Sequence, residues 1–447
     1  MEPDAEPRPL TGGAVMTAAS RVAVAVSGAL TTIVIARLLG PSGSGGFATA
    51  QTLVLLLIVA TTLGVEHGIS YMVSSSVWPP RAAFASSLRL AAGVGLAGGA
   101  IAVGIRAALP SAFADLTVAE TAVTAIAVPF WLAFTFTGYV ALATDRYEAF
   151  VLPPATQSIL ACVLAVPGAA LFDLPGAIVG MTLATVATGA VTAWWGNRRF
   201  PRTDTPPPPG VLRRAMSFGA RGYMANALQA INYRLDIFIL SAVASTAQVG
   251  QYAVAIGITT VLWLLPNALS DVLFPRIARL TAEDAEAHRE MVELKGLRHT
   301  VMIVIAISAV VALALLLLVV PVYGEAFRPA IDVGLLLLPG SAVLGISNVL
   351  GSSLIGRGFP QYGLYTVAII VGPTIALYAT LIPAWDARGA ALASTLSYIF
   401  TTLITAFFYR RVTGRNVFCV MVPTRSEWDD LRRLPAAARA WARGLRA

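Results

Sequence analysis

A chain of 447 residues that is 57% hydrophobic and only 12% charged is too apolar for a water-soluble globule. Its net charge of +8 sits in short loops and reads as basic loops facing anionic lipid, so no nucleic-acid partner is expected. Two cysteines, Cys162 and Cys419, exclude a disulfide framework and a thiolate metal site.

Apolar runs of membrane length predict about twelve transmembrane helices, at 14–39, 46–75, 82–108, 117–144, 148–171, 174–197, 214–243, 248–275, 298–322, 331–355, 359–382 and 388–410. Residues 1–13 carry Glu2, Asp4 and Glu6 and read as a cytoplasmic tail, not a cleavable signal. The glycine-rich stretch from Gly40 to Gly46 lacks the Lys-Ser/Thr ending of a nucleotide loop and reads as a turn. Pro206 to Pro209 make 198–213 a stiff linker between a six-helix bundle at 14–197 and another at 214–411. Glu283, Asp284 and Glu286 with Arg289 suggest a solvated cytoplasmic helix. The tail 412–447, with Trp428, Leu431, Leu434, Trp441 and Leu445 among arginines, reads as a basic amphipathic helix on the inner membrane surface. His67, His288 and His299 are scattered, so no metal site, cofactor or catalytic group is expected.

Orientation follows from the loops. Both termini inside places 23 of the 31 basic residues in the cytoplasm and leaves only Arg106, Arg328 and Arg388 outside. A multi-pass protein of the cytoplasmic, or inner, membrane is expected.

The chain also resembles itself. At an offset of 205, Gly45, Phe47, Ala48 and Ala50 fall on Gly250, Tyr252, Ala253 and Ala255, and Glu66 falls on Asp271. At an offset of 213, Asp173, Gly176 and Ala177 fall on Asp386, Gly389 and Ala390. Duplicated bundles of this kind are a transporter architecture that keeps substrate at the repeat interface.

Ile35-Ala36-Arg37-Leu38-Leu39-Gly40-Pro41, followed by Gly45-Gly46-Phe47-Ala48, resembles the first-span motif of polysaccharide and oligosaccharide flippases. These belong to the multidrug/oligosaccharidyl-lipid/polysaccharide (MOP) exporter superfamily. Ser217-Phe218-Gly219 leading to Asn232-Tyr233-Arg234-Leu235-Asp236, and then Phe274-Pro275-Arg276, are similar to landmarks of that family's second half. The resemblance implies an all-α, MATE-like fold. It also implies flipping of a polyprenyl-diphosphate-linked glycan to the outer leaflet, among membrane lipids and other polysaccharide-assembly proteins. Lipid II flippases of the superfamily usually carry two further C-terminal spans, which this sequence does not show.

Charges left inside spans are the candidate site, because a mid-bilayer charge costs several kcal/mol or more without water or a partner. Arg21, Arg89 and Glu66 are expected at one depth, roughly 10–14 Å from the cytoplasmic end, with Arg221 and Asp271 as a similar set in the second half. Guanidinium forks bind phosphate oxygens bidentately. Arg21, Arg89, Arg221, Asn232 and Arg234 are therefore the expected substrate contacts, and Glu66, Asp271 and Asp236 the coupling or charge-balancing acids. Ser20, Ser27 and Thr31 form a polar stripe expected to avoid lipid and support the cavity. Structural readings stand beside these: Arg37 as an interfacial anchor, Arg21 with Glu66 as an ion pair, and His67 as a hydrogen bond between helices. Two other functions remain open. A cation-coupled exporter of amphipathic drugs would favour an acid-dominated cavity, and a membrane-embedded glycosyltransferase would favour a large outer loop.

Overall fold

The computed structural model describes residues 10–62, 64–108, 113, 116–200, 207–282 and 285–415. The signal and tail readings at 1–9 and 416–447, and the start of the linker at 201–206, lie outside the described residues.

Every regular element among the described residues is helical, and a helix satisfies its own backbone within lipid segment by segment. In order they are α1 (Leu10–Thr62), α2 (Val65–Ser74), α3 (Pro80–Ala108), α4 (Val118–Leu142), α5 (Glu148–Arg199), α6 (Val211–Asn232) and α7 (Leu235–Val243). There follow α8 (Thr246–Thr259), a 3-10 turn (Thr260–Trp263), α9 (Leu264–Ala282), α10 (Glu286–Tyr323), α11 (Pro329–Gly356) and α12 (Gln361–Thr413). Eight stretches among the described residues are long and apolar enough to cross a membrane. Three of them, α1, α5 and α12, bend midway and supply two passes each. Counted with the broken and less apolar pair α6–α7, twelve candidate passes lie among the described residues.

The bends have sequence causes. Gly40 turns α1 with φ 66°, ψ −170°, a conformation that suits glycine. Pro41 then starts the next helix, where its missing N–H costs nothing. The expected turn is thus shorter than read: from Pro41 to Gly46 the chain is already helical. In α5 the bend is Phe172 (φ −138°, ψ 22°) and Asp173 (φ 53°, ψ −144°), and in α12 it is Trp385 (φ −137°, ψ 15°) and Asp386 (φ 49°, ψ −128°). The same two-residue conformation at the same repeat offset shows the duplication in the backbone itself. Aspartate is one of the few residues other than glycine that accepts positive φ.

By packing, the chain forms two compact units. The first is residues 1–254 with 320–329 and 382–387; the second is 255–319, 330–381 and 388–447. The first is filled by two apolar clusters, one around Trp78, Phe84, Leu132 and Phe136 and one around Ile35, Phe47, Leu53 and Ile178. A capping box, Thr117 with Glu120, fixes the start of α4.

The second unit is stitched by small polar side chains between passes, the usual glue where apolar burial gives no driving force. Thr374 and Ser397 meet at 2.7 Å, Tyr378 and Ser394 at 3.0 Å, and Ser347 and Thr405 at 3.2 Å. At the α10 start, Arg357 grips Glu293 with two hydrogen bonds of 2.8 and 2.7 Å, and Tyr409 donates to the same carboxylate at 3.1 Å. Glu293 is fully buried and the Arg357 side chain nearly so. Burial pulls the Arg357 pKa down and Glu293 more than restores it, leaving it above its ordinary value. Arg289 is buried and paired with Glu286. It therefore does not lie on the solvated helix face read from the sequence, because the first turns of α10 carry this network. Residues 283–284 of that reading lie outside the described residues.

Candidate functional site

Most of the nominated residues lie in the first unit. Ser20 Oγ donates to the Val151 carbonyl at 2.8 Å, and Ser27 meets Ser158 at 2.7 Å. The polar stripe of the first pass is therefore shielded from lipid, as expected, but by the first half of α5. It does not line open space along its length. Arg21, one residue round the helix from Ser20, is exposed. So is Arg89 on α3, whose guanidinium donates within its own helix to Ala85 O (3.3 Å) and Ser86 Oγ (3.4 Å).

Glu66 lies in the first turn of α2, just after Gly64 breaks the second pass at φ 72°. It is 6% exposed, and its Oε2 has no hydrogen-bond partner among the described residues. On either side of it α2 crosses α6 at backbone contact. A Cβ at Gly219 would lie 1.9 Å from Gly64 O, and one at Gly68 would lie 1.9 Å from Ala215 O. Tyr71 stacks on Phe218 beside this crossing, with centroids 4.3 Å apart. His67 is exposed and meets Tyr139 edge-on at 5.3 Å, a ring contact where a hydrogen bond was expected.

The seventh pass breaks at Tyr233–Arg234, and the nominated trio straddles the break. Asn232 is buried with Oδ1 unpartnered among the described residues. Arg234 is the half-buried N-cap residue of α7. Asp236 is wholly buried: Oδ1 accepts the Ile237 N–H at 2.6 Å and Oδ2 accepts the Tyr252 hydroxyl at 2.7 Å. Asp236 thus fastens α7 to α8. Arg221 lies on α6, but its side chain is outside the described residues. Asp271, on α9 in the second unit, is exposed, so the two acids matched by the repeat have opposite environments.

At the other end of the first unit, a seal that the sequence reading missed holds the passes together. Gly45 and Gly250, matched by the 205 offset, touch each other. A Cβ at Gly45 would lie 1.9 Å from Thr246 O, and one at Gly250 2.0 Å from Pro41 O. Arg37 Nε donates to Val322 O at 2.7 Å and its Nη2 to Pro321 O, satisfying carbonyls at the C-terminal end of α10. These carbonyl contacts stand beside the reading of Arg37 as an interfacial anchor. Gln251 donates to Ala326 O, and Gln248 donates to Asp386 Oδ2, both at 3.0 Å. The paired glycines were the available signal.

Membrane-length helices among the described residues, a duplicated backbone and charges retained within spans define a polytopic helical membrane protein. Residues 34–332 match the family described as polysaccharide biosynthesis protein, and the chain belongs to that family. Among curated relatives, it is 24% identical over 176 residues to the probable low-salt glycan biosynthesis flippase Agl15 of Haloferax volcanii; the match covers 39% of this chain and 37% of that protein. The chain thus spans well under half the length of that relative. Among solved structures, the fold is similar to that of lipid II flippase MurJ in an inward closed conformation. The TM-score is 0.72 at 12% identity, covering 91% of this chain and 90% of that one. It is also similar to an inward-facing multidrug resistance MATE family transporter of the MOP superfamily, with a TM-score of 0.64 at 14% identity over 89% and 95%.

Proposed function

We propose that this protein moves a polyprenyl-diphosphate-linked oligosaccharide across the cytoplasmic membrane, by alternating access and with the lipid tail left in the bilayer. The observation that carries this reading is the exposure of Arg21 and Arg89 within membrane-length helices. Facing hydrocarbon, each would cost several kcal/mol; facing a wet cavity, they form a cationic site suited to a diphosphate. In this mechanism the guanidiniums bind the diphosphate from the cytoplasmic side while Glu66 balances their charge when substrate is absent. The α2–α6 crossing and the Gly45–Gly250 contact act as the two gates. Both termini are cytoplasmic, and the moving bodies are the bundles 14–197 and 214–411.

A drug exporter driven by a cation is the second reading, and the buried Glu66 carboxyl favours it. The test is export of the surface glycan in cells carrying Arg21→Ala and Arg89→Ala. Export should be lost with protein level unchanged, and Lys should restore only part because an ammonium is a point charge. Full export by the double alanine variant rules out the cationic site.

A further inference from the structure

The second unit carries polar side chains in mid-span that the proposed function leaves unused. There α9 and α11 pack closely: a Cβ at Gly345 would lie 3.1 Å from Pro266 Cγ, and one at Gly356 would lie 2.8 Å from Ile277 Cγ2. Between these two contacts Asn348 Nδ2 donates to Asn267 Oδ1 at 2.9 Å. Asn348 is eight residues before Gly356, the last of α11, so the pair lies about 12 Å along that helix from its end.

An amide pair between helices is often packing glue. This unit has its own glue, since the bonds from Ser347 to Thr405, Thr374 to Ser397 and Tyr378 to Ser394 are all buried. The amide pair is not: Asn267 is exposed and Asn348 half-buried. Asp271, one turn further along α9, is exposed on the same face. A Cβ at Gly351, one turn beyond Asn348, would meet nothing within 4 Å. Amides and a carboxylate exposed together on membrane-length helices are too costly to face hydrocarbon, so they line a water-filled space.

The chemistry of the pair fits one kind of ligand. A primary amide carries both N–H donors and acceptor lone pairs, and the mutual bond uses a single donor of Asn348 and a single lone pair of Asn267. Both side chains therefore keep donors and acceptors side by side. Neighbouring sugar hydroxyls, each donor and acceptor at once, match that pattern. A phosphate calls for donors alone. Trp263, one turn before Asn267, is fixed by its Nε1 bond to Ser341 O at 3.0 Å and by edge-on contact with Tyr398 at 6.0 Å. It supplies an aromatic wall beside the amides.

We propose that Asn267 and Asn348 bind sugar hydroxyls of the cargo, as a glycan subsite in the second unit distinct from the guanidiniums that take the diphosphate. This rests on the reading of the cargo as a diphosphate-linked oligosaccharide.

The test titrates the full chain in detergent with two fluorescent probes built on polyprenyl diphosphate, one bearing a neutral trisaccharide and the other no sugar. The unaltered protein should bind the sugar-bearing probe more tightly. Asn267→Leu with Asn348→Leu, similar in shape but unable to hydrogen-bond, should weaken the sugar-bearing probe about tenfold more than the sugar-free one, as loss of a hydrogen bond or two would do. Gly351→Leu fills the open space, leaves both amides in place and should do the same. Equal affinity of the unaltered protein for both probes, or an equal loss of both probes in both variants, overturns the subsite. Arg21→Ala with Arg89→Ala should weaken both probes alike. If that variant binds both normally while the amide variant still discriminates, the diphosphate reading fails and the glycan subsite stands.

Discussion

Gly45→Ala is the sharpest perturbation of the seal. Its Cβ would sit 1.9 Å from Thr246 O and 2.9 Å from Gly250 N, whereas real Cβ contacts essentially never fall below 3.0 Å. The second and eighth passes must then separate by about 1 Å at this end. Both contacting atoms are backbone, so no side chain can swing away. Overpacking of this kind costs about 1–3 kcal/mol, and a bias of that size shifts a two-state equilibrium about 5- to 150-fold. Ser44, 7% exposed beside the contact, is the reporter. In a background with Cys162 and Cys419 replaced, Ser44→Cys should react slowly with an impermeant maleimide in intact cells. Adding Gly45→Ala should speed the reaction within that range. Gly104→Ala, with nothing near its Cβ, serves as the neutral control. Equal labelling rates with and without Gly45→Ala refute the reasoning that this contact is a closed outer gate.

Glu66→Gln should change apparent substrate affinity and leave the pH profile of transport intact, since the acid is assigned to charge balance; a flattened profile shows that it carries a proton. Glu293→Ala should destabilise the protein by about 3–5 kcal/mol, toward the lower end because Arg357 keeps Glu286 at 3.4 Å. Replacing both Glu293 and Arg357 by leucine should recover most of that loss in thermal unfolding, and no recovery counts against a buried-pair cost.

The passes were legible because an apolar run of membrane length has few alternatives to a helix, and the bends at Asp173 and Asp386 were marked by the repeat. The breaks at Gly64 and Tyr233–Arg234 were not legible, because the charges beside them, Glu66, Arg234 and Asp236, read as site candidates within continuous spans. Within the site, the sequence could nominate Arg21, Arg89 and Glu66 because charges in spans are rare. It could not divide buried from exposed acids, since Glu66 and Asp271 look alike until packing separates them. Asp236 was read as coupling, but its tie to Tyr252 depends on which residue of α8 comes opposite. The partners of Arg37 were not legible, because they are the carbonyls of Pro321 and Val322, which no side-chain pattern reveals. The Glu293–Arg357–Tyr409 cluster joins three distant segments, and neither acid nor base has a local marker.

The central claim is transport of a diphosphate-linked glycan, and it is tested most directly in proteoliposomes. A fluorescent polyprenyl-diphosphate oligosaccharide would be loaded on one leaflet and its protection from an impermeant quencher followed over time. The account predicts protein-dependent transfer that is lost with Arg21→Ala and Arg89→Ala, and no transfer of the same glycan on a neutral polyprenyl carrier. Equal transfer of the neutral and diphosphate forms, or full transfer by the double variant, would contradict it.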